Sequence, residues 1–415
     1  MQRRFFSSLF LLLALNLLVK PIWIFAIDRQ VQNVVGIVEY GKYFSLFNLS
    51  IIFNFLLDIG LTTYLNQKKA SGNENNLFIK TGSLKLFLGL LYALVLIIVA
   101  LLSGVTDPGW LAMLGANQFL FSFFIFLRSN ITALQLFKAD AFLSVLDKII
   151  VIVACGVLIY FPAAFGSITI YSFLLIQLFA IAIAIITAFI ILLANEKIKV
   201  SPVISLDIDI IRQALPFGVI VLMMSIHSRA DAFLLERLHT NGAYEAGIYA
   251  QAYRLLDAAN MVGYLAASFL LPFIAKHFFE GKQIKPVINK TRNSLLLFSI
   301  ITAVICFLYA DKIQVLLYHT SNEYAAAISI FCLSSLIGYS LVQIYGTVLT
   351  ATGFIRLFIR ITIPFMVLNI LLNIFFIPSY GAKACSIIAL VTQSLYGVSL
   401  YYYTDKKVYH STASS

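Results

Sequence analysis

About a dozen stretches of this chain are too long and too apolar to stay in water. A helix that spans a bilayer takes roughly 17–25 mostly apolar residues, and such runs follow one another from end to end. The first six are Phe6–Ile27, Tyr43–Leu65, Gly82–Ser103, Trp110–Phe137, Phe142–Phe161 and Ile168–Ala194. The second six are Leu215–Leu235, Gly247–Phe273, Ser294–Tyr309, Tyr324–Ala351, Ile355–Ile377 and Ala382–Tyr403; the ninth run is the shortest. Hydrocarbon offers no hydrogen-bond partners, so each run must satisfy its backbone internally, as a helix does. The expected fold class is therefore all-α and polytopic. Composition agrees: 61% of residues are hydrophobic and 11% charged, against about 45–50% and about 25% in soluble domains. A soluble chain of this length would leave too much apolar surface uncovered.

The N-terminus, MQRRFFSSLFLLLALNLLV, lacks a small-residue cleavage site and its apolar stretch is too long for a signal peptide, so it reads as a retained first span. Between the sixth and seventh runs lies the polar stretch NEKIKVSPVISLDIDIIRQ, with Pro202. It sets an expected division into a six-helix bundle at 1–200 and another at 201–415. The other connections are too short to hold an extramembrane domain.

Loop charge gives the orientation. With the N-terminus inside, the inner segments carry Arg3, Arg4, Lys68, Lys69, Lys80, Lys138, Lys197, Lys199, Arg212, Lys276, Lys282, Lys285, Lys290, Arg292, Arg356, Lys406 and Lys407. The outer segments carry only Arg29, Lys42, Arg237, Lys312 and Lys383. This bias of about threefold is the positive-inside pattern and predicts that both termini are cytoplasmic. The formal charge of +11 is thereby assigned to lipid headgroups and topology; no nucleic-acid signature accompanies it. The halves also echo one another. EYGKYFSLFNL (Glu39–Leu49) and EAGIYAQAYRL (Glu245–Leu255) align Gly41 with Gly247 and Tyr43 with Tyr249, which suggests parallel repeats of the kind transporters use.

Several charges do not belong in apolar runs. A charge at the bilayer centre costs at least about 2.5–3.5 kcal/mol, so it must snorkel, pair or face water. Lys85, Lys148 and Arg360 lie near expected cytoplasmic ends, where long stems can reach headgroups. Glu236 is expected at the outer surface, and Asp58 either pairs within the bundle or sits near the outer leaflet. Four cations are harder to place. Lys20 is about fifteen residues into its helix, beside Pro21. Arg128 lies deep in FIFLRSNITALQ among Ser129, Asn130 and Thr132. Arg229 is roughly 21 Å along its helix from Leu215. Arg254 is spaced i, i+3 from Asp257 and can pair with it locally. Arg229 and Asp231, two apart, face different ways, so at least one needs a partner elsewhere. The four cations either fix helix packing through internal pairs or meet at a hydrated cleft. A cleft lined by Arg and Lys selects an anion, and guanidinium binds phosphate through paired charge-assisted hydrogen bonds.

Other chemistries find no support. Cys155, Cys306, Cys332 and Cys385 all lie in apolar runs, with no CxxC or Cys/His cluster, so neither a disulfide nor a metal site is expected. There is no P-loop, no Rossmann fingerprint and no nucleophilic triad. His227 alone reads more simply as a packed, hydrogen-bonded residue than as a catalyst. The expectation is a protein that is not an enzyme and has no cofactor.

Two blocks carry a family resemblance. Asn16–Gln67, with its "EYG-Y…D-GL" pattern, and Ser228–Gly263 (SRADAFLLERLHTNGAYEAGIYAQAYRLLDAANMVG), with "D-F-L…G-Y--A-RL", resemble the Wzx-type oligosaccharide (O-antigen and capsule) flippases of the multidrug/oligosaccharidyl-lipid/polysaccharide exporter superfamily. The resemblance implies two six-helix bundles forming a V around a central cavity, working by alternating access in the bacterial cytoplasmic (inner) membrane. The implied cargo is an undecaprenyl-diphosphate-linked oligosaccharide. Polymerase and glycosyltransferases of the same pathway would be its partners, together with membrane lipids. Arg229 and Asp231 fall on the seventh-helix motif and Arg254 on "A-RL"; Arg128 resembles a fourth-helix cavity cation, and Lys20 has no clear counterpart. The expected substrate ligands are thus Arg128, Arg229, Arg254 and Lys20. Asp58, Asp231 and Asp257 are candidates to carry a coupling H+ or Na+. Within the same fold the rival is an ion-coupled multidrug antiporter, which would want unpaired acids in its cavity. From another class, a membrane glycosyltransferase or polymerase would need a sizeable outer loop bearing acidic residues, and the outer segments are too short for one.

Overall fold

The computed structural model describes residues 14–59, 77–134, 136–195 and 208–409. The expected boundary at 200/201, the start of the first run, the end of the second, and the loop cations Arg3, Arg4, Lys68, Lys69, Lys197 and Lys199 lie outside them. Among the described residues all regular structure is helical.

Helix α1 covers 14–35. Pro21 removes one backbone donor from it, and a π-helical stretch follows at Trp23–Asp28, the usual accommodation of an interrupted ladder. The first run was expected to stop at Ile27. Instead the helix continues through Asp28 and Arg29 and ends at Gly36, whose φ of 90° terminates it. Arg29 therefore lies within α1, and Asp28 is buried. Helix α2 is Ile37–Ile52, tightening to a 3-10 turn at Phe53–Leu57. Next come α3 (Leu77–Ser103), α4 (Pro108–Ala133), α5 (Phe137–Tyr160) and α6 (Ile170–Asn195). The second half holds α7 (Ile208–Leu238), α8 (Gly242–Phe279), α9 (Lys285–Tyr318) and α10 (Glu323–Ala351). A final helical stretch, Ile355–Thr404, breaks at Gly381 into α11 (355–380) and α12 (382–404).

Helix ends follow local chemistry. Pro108 starts α4 where its missing N–H costs nothing. Asn322 caps α10 by accepting the Ala325 N–H at 2.7 Å. The short ninth run becomes the long α9 because its polar first turns (Lys285 to Asn293) are helical too and because helix resumes beyond a kink at Tyr309, where the run was expected to end. Nine described helical stretches are long and apolar enough to cross a membrane, one of them comprising α11 and α12 on either side of the break at Gly381. The protein is a multi-pass α-helical membrane protein.

The helices form two compact units: Met1–Gly36 with Leu49–Leu222, and Ile37–Asn48 with Met223–Ser415. In the first unit, α4, α5 and α6 enclose a core of Phe124, Phe126, Leu127, Leu143, Ile181 and Ala184. In the second, α10 packs on α12 and on α8. Its other anchor is the crossing of α2 with α8. A Cβ on Gly41 would overlap the Ala243 carbonyl, and one on Gly247 would overlap that of Ile37. The contact is reciprocal: residue 37 meets 247 as residue 243 meets 41. The two glycines aligned as repeats thus sit at one pseudo-two-fold crossing. In lipid the hydrophobic effect does not drive helices together, so close backbone approach at small residues supplies much of the packing.

Candidate functional site

Within the second unit, α2, α7 and α8 bring two arginines to one carboxylate. Arg229 on α7 donates from Nη1 and Nη2 to the two Asp257 oxygens, both at 3.1 Å, the bidentate fork that a planar guanidinium favours. Its Nη1 also reaches the Asn48 side-chain oxygen at 3.4 Å, and its guanidinium lies 5.1 Å from the centre of the Tyr253 ring. Tyr253 is fixed in turn by donating to the Ser228 carbonyl at 2.6 Å. Arg254, one residue on, donates from Nε to the Tyr40 hydroxyl at 3.1 Å and lies over Phe44 and Phe47. It was expected to be the natural partner of Asp257, three residues away. It approaches that carboxylate only to 4.0 Å, because Arg229 holds it end-on. The side chains of Arg229, Asp257 and Arg254 are 17%, 22% and 13% exposed, so the group is reachable and, with two cations to one anion, positive.

Arg229 and Asp231 do point to different partners, as a spacing of two requires. Asp231 is buried; it accepts from Asn373 Nδ2 at 2.9 Å and from the Tyr249 hydroxyl at 3.3 Å. No cation pairs with it among the described residues. Asn369 lies one turn before Asn373 and accepts from its amide. His227 is buried against Tyr396 and 3.5 Å from the Thr392 hydroxyl.

The first unit carries its own group. Arg128 on α4 donates from Nε to Asp140 on α5 at 2.7 Å. Lys148 pairs with Asp147 at 3.1 Å and lies over the Trp23 and Phe121 rings. Lys20 has Lys148, Arg128 and Asp147 as charged neighbours. Lys148 thus turns inward rather than snorkelling. Lys85 does so more completely: it is 1% exposed and 2.7 Å from Asp58, which is 35% exposed. Both departures have the same cause, a carboxylate within reach. Asp58, a candidate ion carrier, is therefore already committed to Lys85. Arg360 is exposed, consistent with its expected reach to headgroups. Among the described residues no group of three or more His, Cys, Asp or Glu side chains could hold a metal ion; the four cysteines are free and buried.

Sequence reasoning overlooked Asn48 and Asp140, whose partners Arg229 and Arg128 lie on other helices. It also overlooked Asn369 and Asn373, although two asparagines one turn apart in the apolar run LNILLNIF were a legible signal: an intramembrane amide needs a partner.

Three comparisons bear on this arrangement. The family described as "Polysaccharide biosynthesis protein" matches residues 10–278. No curated relative matches the sequence. Among solved structures, an inward-facing multidrug resistance MATE family transporter of the MOP superfamily aligns with a TM-score of 0.71 at 12% identity, over 97% of this chain and 96% of its own. A MOP superfamily transporter from Pyrococcus furiosus, described as having a binding pocket of reverse polarity, aligns at 0.69 and 12%, over 97% and 94%. A Vibrio cholerae MATE transporter aligns at 0.67 and 16%, over 98% and 97%. At these identities the likeness establishes the fold.

Proposed function

The chain belongs to the polysaccharide biosynthesis protein family and has the fold of MOP superfamily transporters, and we propose that it is a flippase for a polyprenyl-diphosphate-linked oligosaccharide in the bacterial inner membrane. The observation that carries the reading is the pair Arg229 and Arg254, reachable, positive and set among aromatic rings. Guanidinium forks match diphosphate oxygens, while ring faces suit sugar. The polyprenyl tail stays in lipid, no bond is made or broken, and the protein alternates access between the two leaflets with both termini cytoplasmic. Lys20 and Arg128 are further proposed ligands, and Asp231 the proposed carrier of a coupling H+ or Na+. Pathway glycosyltransferases and a polymerase supply and consume the cargo.

The test is complementation of a strain lacking the gene. Arg229→Ala and Arg128→Ala are each expected to insert normally yet abolish surface polysaccharide. In proteoliposomes, the Arg229 variant should leave a fluorescent lipid-linked oligosaccharide in its original leaflet. Normal polysaccharide from both variants would remove these residues from the reading. A second reading, a cationic-drug antiporter, is favoured by one observation: among the described residues Asp231 is a carboxylate with no cation paired to it. Drug efflux that is lost in Asp231→Asn while polysaccharide export persists would support it over the first.

A further inference from the structure

Asp257 stands out within the arginine group because the described contacts of its carboxylate are to arginines alone. It occupies the Nη1–Nη2 edge of Arg229, the edge a phosphate would take by the same pair of hydrogen bonds. One face of that guanidinium is covered by Tyr253, and Nη1 is shared with Asn48. Without Asp257, two guanidiniums that now share one carboxylate would be left close together with no counter-charge. With it, the empty site is stable but carries only one surplus positive charge. A doubly ionised diphosphate diester balances two arginines by itself; with Asp257 still in place the group would be left with one negative charge in excess.

We propose that Asp257 is a built-in substitute for the substrate headgroup: it holds Arg229 and Arg254 in their binding geometry when no lipid is bound, yields the bidentate edge to the diphosphate on loading, and recaptures it on release. The proposal rests on the reading of these arginines as diphosphate ligands. Asp257 is then an exchange partner that sets how readily cargo leaves, rather than a direct ligand.

The experiment uses the purified full chain in detergent, with a farnesyl diphosphate sugar, itself a diphosphate diester, as the probe and calorimetry as the readout, alongside flipping rates in proteoliposomes. Removing the competing carboxylate in Asp257→Asn is expected to tighten binding about fivefold, equivalent to about 1 kcal/mol, the upper range for a partly exposed ion pair, and to slow flipping. Asp257→Glu, which keeps the charge, should not tighten binding, and Asp257→Ser repeats the test should the Asn variant fold poorly. Arg229→Gln should lose at least about tenfold. If Arg229→Gln loses binding but Asp257→Asn binds no tighter than the parent, the exchange role is overturned and the diphosphate reading stands. If parent and Arg229→Gln bind the probe equally, the reading itself falls, and the inference with it.

Discussion

Replacing Asp58 with Leu strips the acceptor from an ammonium that has nowhere else to go. Lys85 is 1% exposed and 2.7 Å from Asp58, whose side chain is 35% exposed. The pair is therefore lopsided, and so should be the cost of breaking it. Removing the carboxylate leaves a buried, unpaired cation, which destabilises by about 3–5 kcal/mol. Removing the cation instead, in Lys85→Met, fills the same volume with an apolar side chain and leaves a carboxylate that already reaches solvent or headgroups. That change should cost about 1 kcal/mol, the net worth of one partly exposed pair. The double variant Asp58→Leu/Lys85→Met should return to within about 1–2 kcal/mol of the parent, since a buried pair replaced by apolar groups of similar size is often neutral. Unfolding in mixed micelles, followed by tryptophan fluorescence, supplies the three free energies. Equal losses in the two single variants, or a double variant as unstable as their sum, would refute the asymmetry and the placement of Lys85 behind it.

The reciprocal crossing of α2 and α8 predicts that Gly247→Leu or Gly41→Leu drives the helices apart. Each should cost at least about 1–3 kcal/mol by overpacking, visible as a lower folded yield by fluorescence-detected size exclusion. The buried cysteines Cys155, Cys306, Cys332 and Cys385 should resist maleimide in the folded protein and all react after SDS unfolding; a fast-reacting thiol at any of the four would contradict its burial.

The apolar runs translated directly into helices because span length is a property of the bilayer, readable from a window of neighbouring residues. Their ends did not. Charges at Asp28 and Arg29 looked like a boundary, yet the helix runs to Gly36, because burial and partners within the fold outweigh local polarity. The polar and mostly exposed first turns of α9 hid its true length for a different reason, that a helix need not stop where its apolar run does. The outlying charges were found correctly as misfits, but their pairing was not. Arg229 with Asp257, Arg128 with Asp140 and Lys85 with Asp58 each join different helices, and no spacing rule within one helix reaches across. The one local rule that was applied, i to i+3 between Arg254 and Asp257, found the weaker of the two contacts of that carboxylate. The faint repeat fared better, since both aligned glycines serve one crossing.

That crossing also has a consequence for biosynthesis. The segment Ile37–Asn48 leaves the ribosome some two hundred residues ahead of Met223–Ser415, the partner unit with which it packs. Its glycine face must wait in the membrane, without its mate, until α8 is inserted; such a delay is characteristic of contacts distant in sequence. Expressing the later half by itself would omit Tyr40 and Asn48 along with the glycine seam, so a split version of this protein should regain activity only if both fragments are made together.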